Sequence, residues 1–470
     1  MNRKEAEDFV YKSYLKAQKY QAYEAKDSQK RRNDLTYHLL HEESKTPCCV
    51  ITGSKGKGSV ANMVSQILQT KYTVGLMTSP HIVDFCERFQ INGGKISDEE
   101  FAYYMSSIER EIETIDTHLP QDVCISPMGI QAYMALKYFQ GKETGFNIFE
   151  CGKGAKYDDV NNIKHEYAII NTIFLEHTRE LGETLEEIAE DKAHVITGEQ
   201  KCVYIGQQQK AVLEVIEKRA KQYGVPLKVY GKDFWAENIR YTKEGMLFDV
   251  VIGEERFEEI LVPLLGEHQA RNCTVAMALC IDVIRDKKNG YLNKKLADIG
   301  TDSSEHISVG EKFLNSKDTK IEFKKIKDNL QNINWPGRME VLSQNPFMLL
   351  DACINSASCK NVLQVLEHLQ IKKATIIIGI PDDKDYAGVV CAMKEVASKI
   401  ILTKSQNPHY IFTKRQQDSL KEIGIDTIWT ESIEEAMECG KKEGNPMVIL
   451  GTTSVVAEVK KWSKTGNLMC

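Results

Sequence analysis

The chain has 470 residues, 42% hydrophobic and 27% charged, which is enough for two or three domains with real cores. Its net charge of −6 argues against a general nucleic-acid or membrane-surface binder. Met1 to Asp8 is charged from the third residue, unlike a signal peptide, and no apolar run is long enough to span a bilayer. The 13 cysteines are an odd, scattered set without C-x-x-C spacing, and the 11 histidines contain no H-x-x-x-H pair. This pattern predicts reduced thiols in a cytoplasmic protein without a structural zinc site.

Residues 1–45 are polar and helix-prone, broken by the basic cluster Lys30-Arg31-Arg32, read as a solvated helix face. From residue 47 to about 205, apolar runs at Cys48–Thr52, Thr73–Thr78, Asn147–Glu150, Tyr167–Thr172 and Cys202–Ile205 alternate with helical patterns. That rhythm predicts a mostly parallel sheet covered by helices. Residues 228–262 alternate differently and predict a small antiparallel meander, including Val229-Tyr230. Residues 286–330 are rich in Lys, Asp, Asn and Ser, and read as a linker with weak helices. From Pro336 the alternation resumes, with strands expected at Phe347–Asp351, Ala374–Ile380, Lys399–Thr403 and Met447–Leu450. The expected fold class is α/β: a P-loop domain with a mostly parallel sheet and small meander, plus a second, Rossmann-like α/β domain. The corresponding division is 1–297, a linker at 298–334, and 335–470, with ligand in the cleft between the two domains.

The first expected strand runs into Gly53-Ser54-Lys55-Gly56-Lys57-Gly58-Ser59, and an amphipathic stretch from Val60 to Leu68 follows. Strand, glycine loop and helix start form the geometry that cradles phosphates, because the glycines let backbone N–H groups approach oxygen. In such a loop Lys57 reaches the outer phosphates and Ser59 helps to hold Mg²⁺. The spacing differs from the usual phosphate loop by one extra glycine before the hydroxyl.

Ser79, Glu150 and His177 fall at expected strand ends of the first domain. Their hydroxyl, carboxylate and imidazole can complete a Mg²⁺ shell shared with phosphate oxygens. Singly, Ser79 before Pro80 also suits a plain turn, and His177 a hydrogen-bonded loop residue. Lys192 lies inside the helical stretch Thr184–Ile196. In the second domain Asp351 ends a strand, Asn355 follows it, and Arg338 stands just after Trp335-Pro336-Gly337. An arginine facing phosphate across a cleft clamps transition-state charge; elsewhere it is surface charge.

In this order the segments resemble the folylpolyglutamate synthase and dihydrofolate synthase family, a branch of the Mur ligases, over nearly the whole chain from residue 47. The resemblance rests on Gly53–Ser59, Ser79–Ile82, Glu87–Phe89, Asn92-Gly93, Glu150–Asn161, Glu176–Thr178, Leu181–Ala193, Leu264–Asn272, Trp335–Glu340 and Asp383–Asp385. It implies an ATP-dependent ligase that joins a carboxylate to an amine through an acyl phosphate, with ATP and Mg²⁺ as cofactors. The implied partners are a folate-like carboxylate and an amino acid such as glutamate, with no nucleic acid and no membrane, in a monomer or weak oligomer. By the same resemblance, Ser79, Glu150 and His177 match the Mg²⁺ ligands. Lys192 matches a lysine that is carbamylated and helps to hold a second Mg²⁺. Gln269 and Asn272 match adenine-side contacts, and Arg338 and Asp351 match contacts to the nucleotide from the second domain.

The chain departs from the family on the substrate side. The motif D-G-A-H-N-P is here Asp351-Ala352-Cys353-Ile354-Asn355-Ser356, so the histidine that contacts the incoming glutamate in relatives is Ile354. Lys55 replaces an asparagine of the loop, and no counterpart of a glycine-containing segment near the pterin site is evident in residues 20–40. Two alternatives follow: a Mur-type ligase for a non-folate carboxylate and another amino acid in a peptide or specialised-metabolite pathway, or a non-catalytic nucleotide-binding scaffold.

Overall fold

A computed structural model describes residues 1–19, 33–242, 244–286, 317–408 and 410–464. The basic cluster at Lys30 and most of the expected linker lie outside these residues. Three sheets organise the described chain.

The first sheet has eight strands: β1 (Cys48–Thr52), β2 (Val74–Met77), β3 (Phe89–Ile91), β4 (Gly94–Lys95), β5 (Phe146–Glu150), β6 (Tyr167–Ile170), β7 (Cys202–Ile205) and β8 (Leu227–Val229). Their spatial order is β4-β3-β2-β5-β1-β6-β7-β8. All neighbours run parallel except β3 and β4, which form an antiparallel edge. Strand β1 lies between β5 and β6 and is buried along its whole length. Its residues alternate between two cores. Cys48 and Val50 face one that includes α1 (Arg3–Gln18), α4 (Asp98–Thr117) and α5 (Pro127–Gly141). Cys49 and Ile51 face the other, with α3 (Lys57–Leu68) and α9 (Glu267–Arg285). Burial on both faces explains why β1 reads as an unbroken apolar run.

Three antiparallel strands, β9 (Phe234–Tyr241), β10 (Met246–Ile252) and β11 (Glu255–Val262), form the second sheet. Val229 belongs elsewhere than expected: it ends β8, which pairs parallel to β7 and extends the large sheet. Helix Lys317–Gln331, from the region read as linker, buries Ile326 and Leu330 in the core shared by α3 and β11.

The third sheet contains β12 (Glu340–Gln344), β13 (Phe347–Asp351), β14 (Ala374–Gly379), β15 (Ala397–Leu402), β16 (Ile428–Trp429) and β17 (Met447–Gly451), in the order β12-β13-β17-β14-β15-β16. Only β12 is antiparallel, at the edge. Along β17, Val448 and Leu450 face one core, while Met447 and Ile449 face another. Both large sheets are therefore covered on two faces. In this arrangement the C-terminal strand ends are where ligands lie.

Candidate active site

The loop Gly53–Ser59 joins β1 to α3 at the centre of the first sheet. Gly53 and Gly56 have φ of +139° and +78°, a region that side chains disfavour. A Cβ would lie 2.9 Å from Asn171 Cβ at Gly53, and 2.6 Å from Asn171 Nδ2 at Gly56. The loop is anchored where Ser54 N–H donates to Thr172 O at 3.0 Å and Asn171 Nδ2 donates to Lys55 O at 2.9 Å. Val60 N–H donates to Gly56 O at 2.9 Å and closes the first turn of α3. The N–H groups just ahead of it have no partner within the helix, an arrangement suited to an anion.

The additional glycine has a local cause. A Cβ on Gly58 would stand 3.0 Å from Trp335 Cζ2 and 3.2 Å from Glu150 Oε2. The Trp-Pro-Gly turn ahead of the third sheet thus packs directly on the loop. The hydrogen at Gly58 keeps room beside the Glu150 carboxylate.

Two lysines converge on one acceptor. Lys57 Nζ lies 3.1 Å from Gly53 O, and Lys192 Nζ lies 3.0 Å from the same oxygen. Lys192 is only 1% exposed and also pairs with Glu176 Oε1 at 3.0 Å. It projects from α7 (Leu185–Ala193), whose start is fixed by a capping box between Thr184 and Glu187. Burial holds the Lys192 ammonium below its usual range, Lys57 adds to the effect, and Glu176 opposes it.

Glu150 ends β5 beside Ile51 of β1 and is buried. Its Oε2 accepts the Ser79 N–H at 3.0 Å, just beyond β2. Burial pushes the carboxyl above its ordinary pKa, while Lys57, the Ser79 N–H, Arg338 and Arg88 pull it down. The structure thus brings together the loop, Lys57, Ser79 and Glu150. It places His177 at φ +47° on the exposed start of α6 (Thr178–Leu181), next to the lysine's partner Glu176.

Gln269 and Asn272 are buried in the first turns of α9. Asn272 Oδ1 accepts from Asn171 Nδ2 at 2.9 Å, and Asn272 Nδ2 donates to Gln269 Oε1 at 3.2 Å. These two residues therefore back the loop through Asn171. His268 beside them is held down to about 4 by burial, with Arg271, Lys55 and Arg338 adding to it, so its imidazole is neutral near pH 7.

From the third sheet, Asp351 closes β13, and its Oδ2 accepts the Met339 N–H at 2.9 Å. Burial raises its carboxyl, and the charges of Arg338 and Lys55 lower it. Lys55 spans the gap between the two large sheets. Its ammonium donates to the Ser358 hydroxyl and lies 5.8 Å from the Phe174 ring centroid. Ser358 sits in helix Ser356–His368, capped by Asn355, whose Oδ1 accepts the Ser358 N–H at 2.9 Å. Ile354 is half-buried against the core of the third sheet.

Sequence reasoning missed Asn171, the pairing of Glu176 with Lys192, and the packing of Trp335 on the loop. Asn171 was within reach of the same signal that located Glu150, since it follows a buried strand at its C-terminal end. The other two depend on distant contacts that no local pattern reports.

Residues 51–280 match the family model described as Mur ligase middle domain. The chain is 25% identical over 437 residues to a dihydrofolate synthase/folylpolyglutamate synthase of Bacillus subtilis, a match covering 92% of this chain and 94% of that protein. It is 23% identical over 412 residues to a folylpolyglutamate synthase of Lacticaseibacillus casei, covering 87% and 88% of the two chains. A crystal structure of Mycobacterium tuberculosis folylpolyglutamate synthase, complexed with ADP and AMPPCP, superposes with a TM-score of 0.75 at 22% identity, covering 95% of this chain and 97% of that one.

Proposed function

We propose that this chain, which belongs to the Mur ligases on the branch of the folylpolyglutamate and dihydrofolate synthases, is an ATP-dependent ligase joining a folate-like carboxylate to an amino acid such as glutamate. The observation that carries the reading is the convergence of the glycine loop, Lys57 and Glu150 at the strand ends of one sheet, with Trp335 and Arg338 entering from the next. A carboxylate is a poor electrophile because its charge is delocalised. Transfer of the γ-phosphoryl group turns it into an acyl phosphate, which an amine attacks to give an amide, ADP and phosphate. Lys57 screens the outer phosphates, the N–H groups of the loop hold them, and Arg338 faces them from the other side. Packing of Trp335 on Gly58 supports exclusion of water, which would otherwise hydrolyse the intermediate.

The residues also fit Mg²⁺. Glu150 is a buried carboxylate that burial pushes above its ordinary pKa, a cost a cation beside it would offset, and its Oε2 takes a backbone N–H from Ser79. Among the described residues, no group of three or more His, Cys, Asp and Glu is arranged to hold a metal by itself. This donor set suits Mg²⁺, which favours one or two carboxylates completed by phosphate oxygens and water. Ser59, Ser79, Glu150 and His177 would hold it, and bound there it would neutralise phosphate charge. In the same reading Gln269 and Asn272 lie on the adenine side and Asp351 contacts the nucleotide. Lys192, with its pKa lowered by burial, is the candidate for carbamylation. The division at residues 297 and 335 belongs to the same reading, supported by the separate cores of the first and third sheets.

One observation favours a different amine. Ile354 stands where relatives carry the glutamate-contacting histidine, and it is half-buried against apolar residues. ADP release with tetrahydrofolate and glutamate tests the main reading. A rate equal to the substrate-free blank rejects the folate–glutamate pair, and a screen of carboxylic acids against pooled amino acids then decides whether ligase chemistry survives.

A further inference from the structure

The segment after β13 carries two thiols that the proposed reaction does not use. Cys353 and Cys359 are both buried, and their sulfurs lie 3.6 Å apart. Both lie near the Asn355 carbonyl, at 3.4 and 3.7 Å. Between them run Asn355, which caps helix Ser356–His368, and Ser358, whose hydroxyl takes the Lys55 ammonium. Ser356 and Ala357 in the same turn are exposed, so this turn brings the pair next to solvent.

We propose that Cys353 and Cys359 are a reversible dithiol–disulfide couple that sets the position of Ser358 against the phosphate loop. A bond between the sulfurs needs them about 2.05 Å apart, so they must close by roughly 1.5 Å. The intervening turn, with Asn355 and Ser358, must absorb that movement. Because Lys55 is bound to Ser358, the loop that holds the nucleotide feels it.

The oxidant is a low-molecular-weight disulfide. The Cys359 thiolate attacks one of its sulfurs and expels one thiolate, forming a mixed disulfide. Cys353 then gives up its proton and attacks Cys359 Sγ, expelling the second thiolate. Two protein S–H bonds and one reagent S–S bond are lost, one protein S–S bond forms, and two thiols leave. The direction of attack follows from the surroundings. Either thiol can donate to the other across 3.6 Å, and the Lys55 ammonium favours a thiolate on Cys359, while burial and Asp351 oppose ionisation at both sulfurs.

The test uses the full chain incubated with oxidised glutathione, alkylated and digested with trypsin. Both cysteines fall in the peptide Met339–Lys360, which contains no others. The expected result is loss of two hydrogens from that peptide and protection of both sulfurs from alkylation. Binding of a non-hydrolysable ATP analogue weakens by about fivefold or more, and dithiothreitol restores it. Cys359→Ala should hold its affinity under the same treatment, whereas Cys353→Ala should stop at a glutathione mixed disulfide on Cys359, seen as the added mass on that peptide. A peptide alkylated at both positions overturns the couple. A bridge that leaves analogue affinity unchanged overturns its coupling to the loop. If a variant fails to fold, the mass and affinity of the unmodified sequence before and after dithiothreitol still decide. The bridge itself does not depend on the ligase reading. Its effect on nucleotide does, and a reduced chain that binds no ATP analogue would count against that reading while leaving the mass result standing.

Discussion

Lys57 and Lys192 share one acceptor, the carbonyl oxygen of Gly53, at 3.1 and 3.0 Å. They reach it from different elements: Lys57 opens α3, and Lys192 projects from α7. Two ammonium groups on one carbonyl repel each other, and Lys57 indeed contributes to the lowered pKa of Lys192. Phosphate oxygens at the loop would relieve that repulsion. The pair is therefore poised for an anion rather than for stability alone.

Lys57→Ala should lower ADP release on the order of 10²–10³-fold, the usual loss when one charge-stabilising donor is removed. The side chain is not fully buried, so melting temperature should move little. Retention of most activity would remove the phosphate-loop assignment.

Lys192→Met should behave differently. It leaves Glu176 without its partner at 3.0 Å, in a side chain only 18% exposed, and should cost about 1–3 kcal/mol in stability. Glu176→Gln in the same chain should recover part of the loss, because it removes the stranded charge. Denaturant melts of the two single variants and the double variant measure the coupling; strict additivity would show that the pair contributes nothing.

Gly58→Ala separates stability from function at one position. Gly58 stands in the first turn of α3, where alanine keeps only part of the roughly 0.5–1 kcal/mol preference over glycine found in helix interiors. Here the added methyl meets Trp335 Cζ2 at 3.0 Å and Glu150 Oε2 at 3.2 Å. Melting temperature should change little, the helix gain offset by the tight contact, while turnover falls at least about tenfold through the displaced carboxylate. An unchanged turnover would show that Glu150 tolerates the shift and is not a tightly positioned ligand.

The central parallel strands were legible because burial on both faces makes them apolar runs, and the phosphate loop because it follows one of them; the short parallel edge strands β8 and β16, with few buried residues, were not. The edge strands β3, β4 and β12 were not. They are short and antiparallel, and most of their residues are not buried, so no period marks them. Helix Lys317–Gln331 hid for another reason: its lysines dilute the stripe that Ile326 and Leu330 present to the core. In the site, residues at strand ends could be found by position. Lys192 and Glu176 could not be paired, because only the path of α7 places that ammonium beside the loop. The link from Lys55 to Ser358 joins residues 303 positions apart and has no local trace.

Stability should depend on pH through Asp159. Its carboxylate takes the hydroxyls of Ser126 and Thr36, yet burial dominates and pushes its pKa up to about 7 from an ordinary 3.8. The folded chain keeps this proton to near pH 7, whereas the unfolded chain releases it near pH 4. The contribution is therefore complete below pH 4 and lost as pH rises to 7, by an amount on the order of 2–4 kcal/mol. Asp159→Asn removes the slope. The melting-temperature difference between variant and parent should grow in the variant's favour from pH 5 to pH 8. Parallel profiles would show that Asp159 is charged at neutral pH.

Ile354→His tests the side of the site where the chain departs from its relatives. The isoleucine is half-buried against the third sheet's core and lies one residue before Asn355, the cap that also receives the Ser358 hydroxyl at 2.8 Å. An imidazole there exchanges some apolar contact for a hydrogen-bonding group. The expected cost to stability is about 1 kcal/mol. If this turn lines the amine pocket, the KM for glutamate should fall on the order of tenfold while the KM for ATP stays level, since one added hydrogen bond to a charged group contributes about 1.5–3 kcal/mol before the lost contact is deducted. Steady-state ADP release at varied glutamate and fixed ATP measures it. A change in the ATP constant with none in the glutamate constant would place the turn on the nucleotide side and leave the amine to be bound elsewhere.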